Sequence, residues 1–171
     1  MVGRRIDVRR NPSRTGSDRR VGQQVRVAVA DDDPHLRAAV TEVLGADDRF
    51  EVVGAVESGD ALLALLRGLA DDGAGVDVVL VDVRMPGGGV AALRSLRETF
   101  GDDAPPVVVI SAHTSARLVL DMLAEGAAGY LGKGRIGANL ADLVAGAVDG
   151  ELVLAVPGAQ EILRRHAETA R

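Results

Sequence analysis

Short apolar runs alternate with longer amphipathic segments along the chain from residue 25 onward. Five apolar runs, at 25–30, 50–55, 76–81, 106–110 and 128–131, are too short for typical helices. They show no regular alternation of apolar and polar positions, which is typical of parallel strands covered on both faces of a sheet. The pattern therefore predicts five buried, parallel β-strands.

Helical spacing of apolar residues fills the segment after each predicted strand. In the first and fifth segments apolar residues recur at i, i+4, i+7 and i+8, which places them on one helical face. They are Leu36, Val40, Val43 and Leu44 in the first segment, and Ile136, Leu140, Leu143 and Val144 in the fifth. The fourth helix is predicted over 115–125 and the fifth over 135–149. Five strand–helix units predict a doubly wound α/β domain with a five-stranded parallel sheet, spanning residues 25–150.

The two ends of the chain lie outside this alternation. Residues 1–24 are rich in arginine and poor in apolar residues, which predicts a disordered basic tail. Residues 151–171 are too few for a second domain and predict a short extended piece followed by a short helix near Pro157. We therefore expect one folded domain with a basic N-terminal tail and a C-terminal segment that resembles a linker.

Composition and charge narrow the class of protein. The 171 residues are 47% hydrophobic and 2% aromatic, so the core is aliphatic, and the lack of cysteine excludes disulfides and thiolate metal sites. No apolar run is long enough to cross a membrane, and the start lacks the apolar part of a secretory signal, which favours the cytoplasm. The net charge of −5 divides into +6 over residues 1–26 and −11 over the remainder. The basic tail supports at most weak DNA binding, and a solvated leader is the simpler interpretation.

Polar residues gather at the predicted carboxyl ends of four strands. Asp31 and Asp32 follow the first strand, Asp82 follows the third, Ser111 the fourth and Lys133 the fifth. Ligands of doubly wound sheets bind at this edge. The other aspartate pairs lie on connections that lead into strands, where solvated turn residues are expected. Convergence on one edge therefore favours a functional site.

Individual residues of this edge also have plain structural explanations. Asp33, which precedes Pro34, suits the N-cap of the first helix, and Ser111 suits the cap of the fourth. Tyr130 suits packing beneath the last helix. The sequence leaves these explanations open beside the functional ones.

The chemistry of the edge follows from its charges. Two carboxylates 4 Å apart repel by about 4 kcal/mol at an effective dielectric constant near 20. Mg²⁺ relieves such repulsion because it prefers oxygen ligands, whereas zinc is disfavoured because no histidine or cysteine joins the cluster. A carboxylate is also a nucleophile toward phosphorus, and phosphoryl transfer relies on positioning and charge neutralisation. The edge therefore favours phosphoryl chemistry.

Four ordered stretches resemble the receiver domain of two-component response regulators. They are VAVADDDPHLR, DVVLVDVRMPGGGVAALRSLR, VVVISAHTS and EGAAGYLGKG. The resemblance covers about residues 25–150 and implies a flavodoxin-like receiver fold. The following segment resembles the linker of the NarL/LuxR-type subgroup, but no counterpart of its helix-turn-helix domain follows.

The resemblance implies a phosphoacceptor and a metal site. Asp82 matches the aspartate that accepts the phosphoryl group. Asp31 and Asp32 match the acidic pair that holds Mg²⁺ together with Asp82, and the backbone carbonyl of Arg84 matches a further ligand. The loop that follows, MPGGGV, is one residue shorter than the usual one.

The resemblance also implies a switch and its partners. Ser111 matches the switch hydroxyl, Lys133 the lysine that contacts the phosphoryl group, and Tyr130 the aromatic that changes rotamer on activation. The implied donor is a histidine kinase, and the chain is expected to catalyse only its own phosphorylation and dephosphorylation. A homodimer is implied through the 115–149 face or through the first and fifth helices.

Two other functions remain open at this stage. The chain could instead be the receiver portion of a LuxR-type DNA-binding transcriptional regulator, and the linker-like end favours that ancestry. A Rossmann-like Mg²⁺-dependent phosphatase is a more remote alternative, since it needs a carboxylate two residues after its nucleophile and residue 84 is arginine. We expect a switch that acts through protein contacts with an unidentified partner.

Overall fold

Six strands and six helices make up the computed structural model, which describes residues 22–169. The strands are β1 Val25–Ala30, β2 Phe50–Val56, β3 Val78–Asp82, β4 Val107–Ser111, β5 Gly129–Gly132 and β6 Val153–Ala155. The helices are α1 Pro34–Gly45, α2 Gly59–Asp71, α3 Val90–Phe100, α4 Ala116–Ala124, α5 Leu140–Val148 and α6 Ala159–Thr169. The predicted basic tail falls almost wholly outside the described residues.

The sheet is parallel throughout, with the strand order β2-β1-β3-β4-β5-β6. The predicted doubly wound α/β fold is confirmed, but the prediction of five strands is wrong. The sixth strand comes from the C-terminal segment, where Val153–Ala155 pairs with β5. The short C-terminal helix predicted for this segment is α6, but an extended piece of three residues carries too little pattern to show that it joins the sheet.

Alternate residues of the central strands enter two separate cores. In β3, Val78 and Leu80 face the core that α1 and α5 cover, whereas Val79 and Val81 face the core beneath α2, α3, α4 and α6. This division follows from the two-residue period of a strand. Every residue of β3 and β4 is buried, which explains why these strands read as continuous apolar runs.

Helix boundaries confirm one predicted cap and correct two other predictions. Asp33 caps α1 as predicted, since its carboxylate accepts the backbone N–H groups of His35 and Leu36. Ser111 does not cap α4, because Ser115 takes that role. Helix α5 begins at Leu140 rather than near residue 135, because a 3-10 turn follows β5 and glycines interrupt the segment after it.

Within the described part of the chain, no helix combines the length and apolar character that a membrane span requires.

Candidate functional site

Three carboxylates meet at the carboxyl edge of the sheet. Asp31 and Asp32 follow β1, Asp82 ends β3, and one carboxylate oxygen from each lies within 4.8 Å of the other two. Asp31 and Asp82 are each only 3% exposed, whereas Asp32 faces solvent. Two buried carboxylates beside an exposed one form a concentrated negative charge that is open to solvent on one side.

Lys133 neutralises part of this charge. It lies in the 3-10 turn Lys133–Arg135 that directly follows β5. Its Nζ lies 2.9 Å from Asp31 Oδ2 and 3.3 Å from Asp82 Oδ1. Burial by itself would lower the pKa of the Lys133 ammonium, but the hydrogen bond to Asp31 and the negative charges of Asp82 and Asp31 outweigh it and raise this pKa. The ammonium is therefore charged at neutral pH and bridges two of the three carboxylates.

The first turn of α1 fixes the position of Asp31. The Asp31 carboxylate accepts the backbone N–H of Asp33 at 2.8 Å. The guanidinium of Arg37, one turn into α1, donates to the Asp31 carbonyl oxygen at 2.7 Å. Arg37 was not among the predicted site residues; the signal available in the sequence was an arginine six residues after Asp31.

The glycine-rich loop after β3 fixes the position of Asp82. The backbone N–H of Arg84 donates to Asp82 Oδ2 at 3.1 Å, and the N–H of Gly89 donates to the Asp82 carbonyl at 3.3 Å. A Cβ at Gly88 would overlap that same carbonyl oxygen. The loop can therefore fold onto the phosphoacceptor candidate only because residue 88 has no side chain.

Ser111 and Tyr130 lie beside this edge, and each forms a hydrogen bond with the backbone of His113. Ser111 follows Ile110, the register partner of Asp82, and is fully buried. Its Oγ accepts the backbone N–H of His113 at 3.0 Å, and the hydroxyl of Tyr130 donates to the His113 carbonyl. The backbone of His113 thus connects the two candidate switch residues, which the sequence could not show because backbone groups leave no residue-type signal.

Tyr130 is buried in the apolar core beneath α4 and α6. Burial raises the pKa of the Tyr130 phenol. A hydrogen-bonding interaction with the Ser111 side chain lowers this pKa, and the negative charge of Asp82 raises it; the net effect is a raised pKa. The phenol therefore stays protonated at neutral pH and donates a hydrogen bond within the core.

The donor set fits a hard divalent cation. All three clustered side chains offer carboxylate oxygens. Within the described residues, Asp31 Oδ2 is buried and, apart from its ion pair with Lys133, has no hydrogen-bond donor. Oxygen-only ligands with one solvent-facing member suit Mg²⁺, which keeps several waters when it binds. The structure places the Arg84 backbone beside Asp82, and the role of its carbonyl as a ligand stays a prediction.

The sequence that carries this site matches a known family of proteins. Residues 27–145 match the model of the response regulator receiver domain. The chain belongs to the response regulator receiver domain family. The carboxylate cluster, the buried serine and the lysine all lie within the matched residues.

Relatives of this receiver domain are response regulators. The chain is 38% identical to the response regulator GacA of Pseudomonas viridiflava over 121 residues, which cover 70% of this chain and 52% of GacA. It is 30% identical to the response regulator UvrY of Escherichia coli K12 over 139 residues, which cover 81% of this chain and 61% of UvrY. The chain therefore spans about half to three fifths of the length of these curated relatives.

A solved structure gives the same fold. The signal receiver domain of NarL from Mycobacterium tuberculosis superimposes with a TM-score of 0.67 at 32% sequence identity. The match covers 75% of this chain and 98% of that domain. The flavodoxin-like receiver fold expected from the sequence is thereby confirmed.

Proposed function

We propose that Asp82 accepts a phosphoryl group from the phosphohistidine of a histidine kinase and that the receiver domain then changes one of its protein-binding faces. The observation that carries this proposal is the cluster of Asp31, Asp32 and Asp82 with the Lys133 ammonium across two of its members. Membership of the receiver family supports it, because its members named above are response regulators.

The transfer step needs an oxygen nucleophile and neutralised charge. A carboxylate oxygen of Asp82 forms a bond to phosphorus while the bond from phosphorus to the donor imidazole nitrogen breaks. The electron pair of that bond returns to the imidazole, which takes up a proton. The Lys133 Nζ lies 3.3 Å from Asp82 Oδ1, so its ammonium is close enough to neutralise the negative charge of the phosphoryl oxygens once they are bonded to Asp82.

Asp31, Asp32 and Asp82 would hold Mg²⁺, and the Arg84 carbonyl is proposed as a further ligand. When bound there, the ion supplies charge neutralisation for the phosphoryl oxygens and for the crowded carboxylates. Arg37 and the Asp33 N–H hold Asp31 in place, and the glycine loop holds Asp82, so the protein keeps its ligands oriented without the ion.

Ser111 is proposed as the group that senses the phosphoryl group. Its hydroxyl lies at the end of the strand next to β3 and at present accepts the His113 N–H. A phosphoryl oxygen on Asp82 offers a stronger, charged acceptor for the Ser111 O–H. Reorientation of Ser111 would disturb the His113 backbone and, through it, the hydrogen bond of Tyr130.

The experiment is phosphorylation with acetyl phosphate and Mg²⁺, followed by intact-mass spectrometry. We expect the wild-type chain to gain one phosphoryl group and Asp82→Asn to gain none. Asp48→Asn, which removes an exposed carboxylate from the opposite edge of the sheet, is the matched control and should gain the group like the wild type. Equal phosphorylation of wild type and Asp82→Asn would overturn the assignment.

We also propose a kinase partner, a cell compartment and an output for this chain. A histidine kinase partner and a cytoplasmic location fit the family, and any self-catalysed phosphorylation would be measured by the same experiment. A second candidate output is transcriptional regulation, because a relative that is 36% identical over 110 residues is named a probable transcriptional regulatory protein, NarL, of Mycobacterium tuberculosis. DNA binding that depends on phosphorylation of Asp82 would support this second output.

A further inference from the structure

Strand β6 covers the edge of β5 along its length. Gly129, Tyr130 and Leu131 pair in register with Val153, Leu154 and Ala155. The approach is close at Gly129, where an added Cβ would lie 2.7 Å from the Val153 carbonyl oxygen. β6 can therefore pair this closely with β5 only because residue 129 has no side chain.

Helix α6 is attached through few apolar side chains. Ile162 is its one fully buried residue, and it belongs to the same apolar cluster as Tyr130 and the α4 residues Val119 and Met122. Val156, in the connection before α6, is buried in that cluster as well. Segments that are held by few buried apolar side chains open locally at the lowest cost in free energy.

The charged side chains of α6 stabilise the helix without holding it to the domain. Arg164 pairs with Glu161 and Glu168, and Arg165 pairs with Glu161, so each of these ion pairs joins two residues of α6. Such pairs at i, i+3 and i, i+4 support a helix by itself. Within the described residues these ion pairs stay inside α6, so only its apolar contacts hold it to the domain, and an 11-residue helix that loses them is marginal in water.

The surface on which β6 and α6 pack is connected to the carboxyl edge of the sheet, where Asp82 lies. Tyr130 lies in the middle of β5, opposite Leu154 of β6, and its hydroxyl donates to the His113 carbonyl. The N–H of the same residue donates to Ser111 Oγ. Ser111 ends the strand that pairs directly with β5, and the backbone of His113 gives a second link from Ser111 to the Tyr130 side chain.

We propose that residues 153–169 form a cover over the α4–β5 face that phosphorylation of Asp82 releases. This inference rests on the proposed function of Asp82. When the Ser111 hydroxyl turns to the phosphoryl group, the His113 N–H loses its acceptor, and the loop that anchors the Tyr130 hydroxyl is free to move. The β5 edge and the apolar surface of α4 then become accessible.

The uncovered face fits a partner that resembles the segment it replaces. The face offers the unpaired backbone groups of β5 and an apolar site vacated by Ile162. A protein segment with a short extended strand, followed by a helix that carries one branched aliphatic residue, satisfies both. Strand addition of this kind derives affinity from backbone hydrogen bonds and specificity from side-chain pockets.

Hydrogen exchange of the full chain, followed by mass spectrometry, tests the release. With acetyl phosphate and Mg²⁺, and with Asp82 phosphorylation verified by mass, we expect amides of 153–169 to exchange at least tenfold faster while those of α2 stay unchanged. Unchanged or slower exchange in a fully phosphorylated sample overturns the inference and leaves the proposed function standing. A sample in which Asp82 gains no phosphoryl group overturns both.

Two variants test the coupling in the reverse direction. Ile162→Ala should open the segment without phosphorylation and, because coupling is reciprocal, should bind beryllofluoride at least threefold more tightly. Gln160→Ala, on the exposed face of the same helix, is the matched control and should behave as wild type. Gly129→Ala acts from the strand side and should give the same result if Ile162→Ala is poorly folded. An open segment with unchanged beryllofluoride affinity would refute the coupling.

Discussion

Lys133 is the single lysine among 20 basic residues, and its surroundings explain why an ammonium suits the position. Its side chain is 22% exposed and lies between two buried carboxylates at 2.9 and 3.3 Å. An ammonium is a compact point charge, whereas a guanidinium is a wide planar fork that prefers bidentate partners. The space between Asp31 and Asp82 therefore favours lysine on geometry as well as on charge.

Lys133→Arg separates geometry from charge. We expect phosphorylation of Asp82 by acetyl phosphate to slow at least tenfold, which corresponds to about 1.4 kcal/mol in the barrier, because the fork cannot replace the ammonium without moving the carboxylates. Rates are measured by intact mass over time. Arg135→Lys, in the same 3-10 turn but exposed, is the matched control. An unimpaired Lys133→Arg would show that charge alone suffices.

Tyr130 is the only tyrosine in a chain without tryptophan, so its ionisation can be followed directly by ultraviolet absorbance. Because its pKa is raised in the folded state, we expect a midpoint above the value of about 10 found for exposed tyrosine. The raised pKa stabilises the fold below about pH 10, and this contribution is lost as pH rises through the folded-state value. A midpoint at or below that of the urea-unfolded chain would contradict the buried position.

At the scale of elements, the loop between β3 and α3 depends on glycine for two close contacts. Gly88 lies against the Asp82 carbonyl, and Gly87 lies against Gly59 at the start of α2. The N–H of Gly59 also donates to the Pro86 carbonyl at 2.8 Å. Gly87 and Gly88 thus allow this loop to pack on both β3 and α2.

Gly88→Ala should disturb this packing. We expect a loss of about 1–3 kcal/mol in the free energy of unfolding, because the new methyl group overlaps the Asp82 backbone, together with slower phosphorylation. Gly68→Ala is the matched control, since it lies within α2 with no atom within 4 Å of the added Cβ and should gain up to about 1 kcal/mol. Urea unfolding checks both values. Equal stabilities for the two variants would contradict the described loop.

The elements differ in how far the sequence could predict them. Long apolar runs such as Val107–Ser111 were predictable because burial on both faces leaves a continuous pattern. A short extended piece after residue 150 was predicted, but its pairing with the sheet as β6 was not, because it depends on a β5 edge that another part of the chain creates. The start of α5 was misplaced because Ile136 continues the helical spacing, although Gly134 and Gly137 interrupt the segment.

The candidate site divides in the same way. The clustering of Asp31, Asp82 and Lys133 could be predicted, since each lies at the carboxyl end of a strand and the carboxyl ends of parallel strands share one edge. The role of the His113 backbone could not, because hydrogen bonds of the main chain do not depend on residue type. Arg37 was overlooked because its link to the Asp31 carbonyl depends on a turn of helix between them.

At the scale of the whole molecule, the balance of charge at the carboxyl edge sets how the fold responds to ions. Among the described residues, the Lys133 ammonium pairs with two of the three clustered carboxylates and the Arg37 guanidinium contacts the Asp31 backbone, which still leaves an excess of negative charge at that edge. This excess opposes folding wherever it is not compensated. A cation that binds the folded chain and not the unfolded one therefore stabilises it.

Mg²⁺ should raise the melting temperature of the chain. At ten times the dissociation constant we expect a stabilisation of about 1.4 kcal/mol, and Asp82→Asn should reduce it because a proposed ligand is lost. Asp48→Asn should keep the full effect, since Asp48 lies on the connection between α1 and β2 at the other edge. A melt that is indifferent to Mg²⁺ but shifted by Zn²⁺ would contradict the oxygen-ligand site.

The sixth strand also bears on how this protein behaves at high concentration. A version of the chain that ended at residue 150, where the sequence alone places the domain boundary, would lack Val153–Ala155 and leave the outer side of β5 bare. A bare strand edge is a template on which a second molecule can pair. We expect such a shortened chain to fold around the same central strands and yet to be prone to self-association and aggregation, because β6 no longer covers β5.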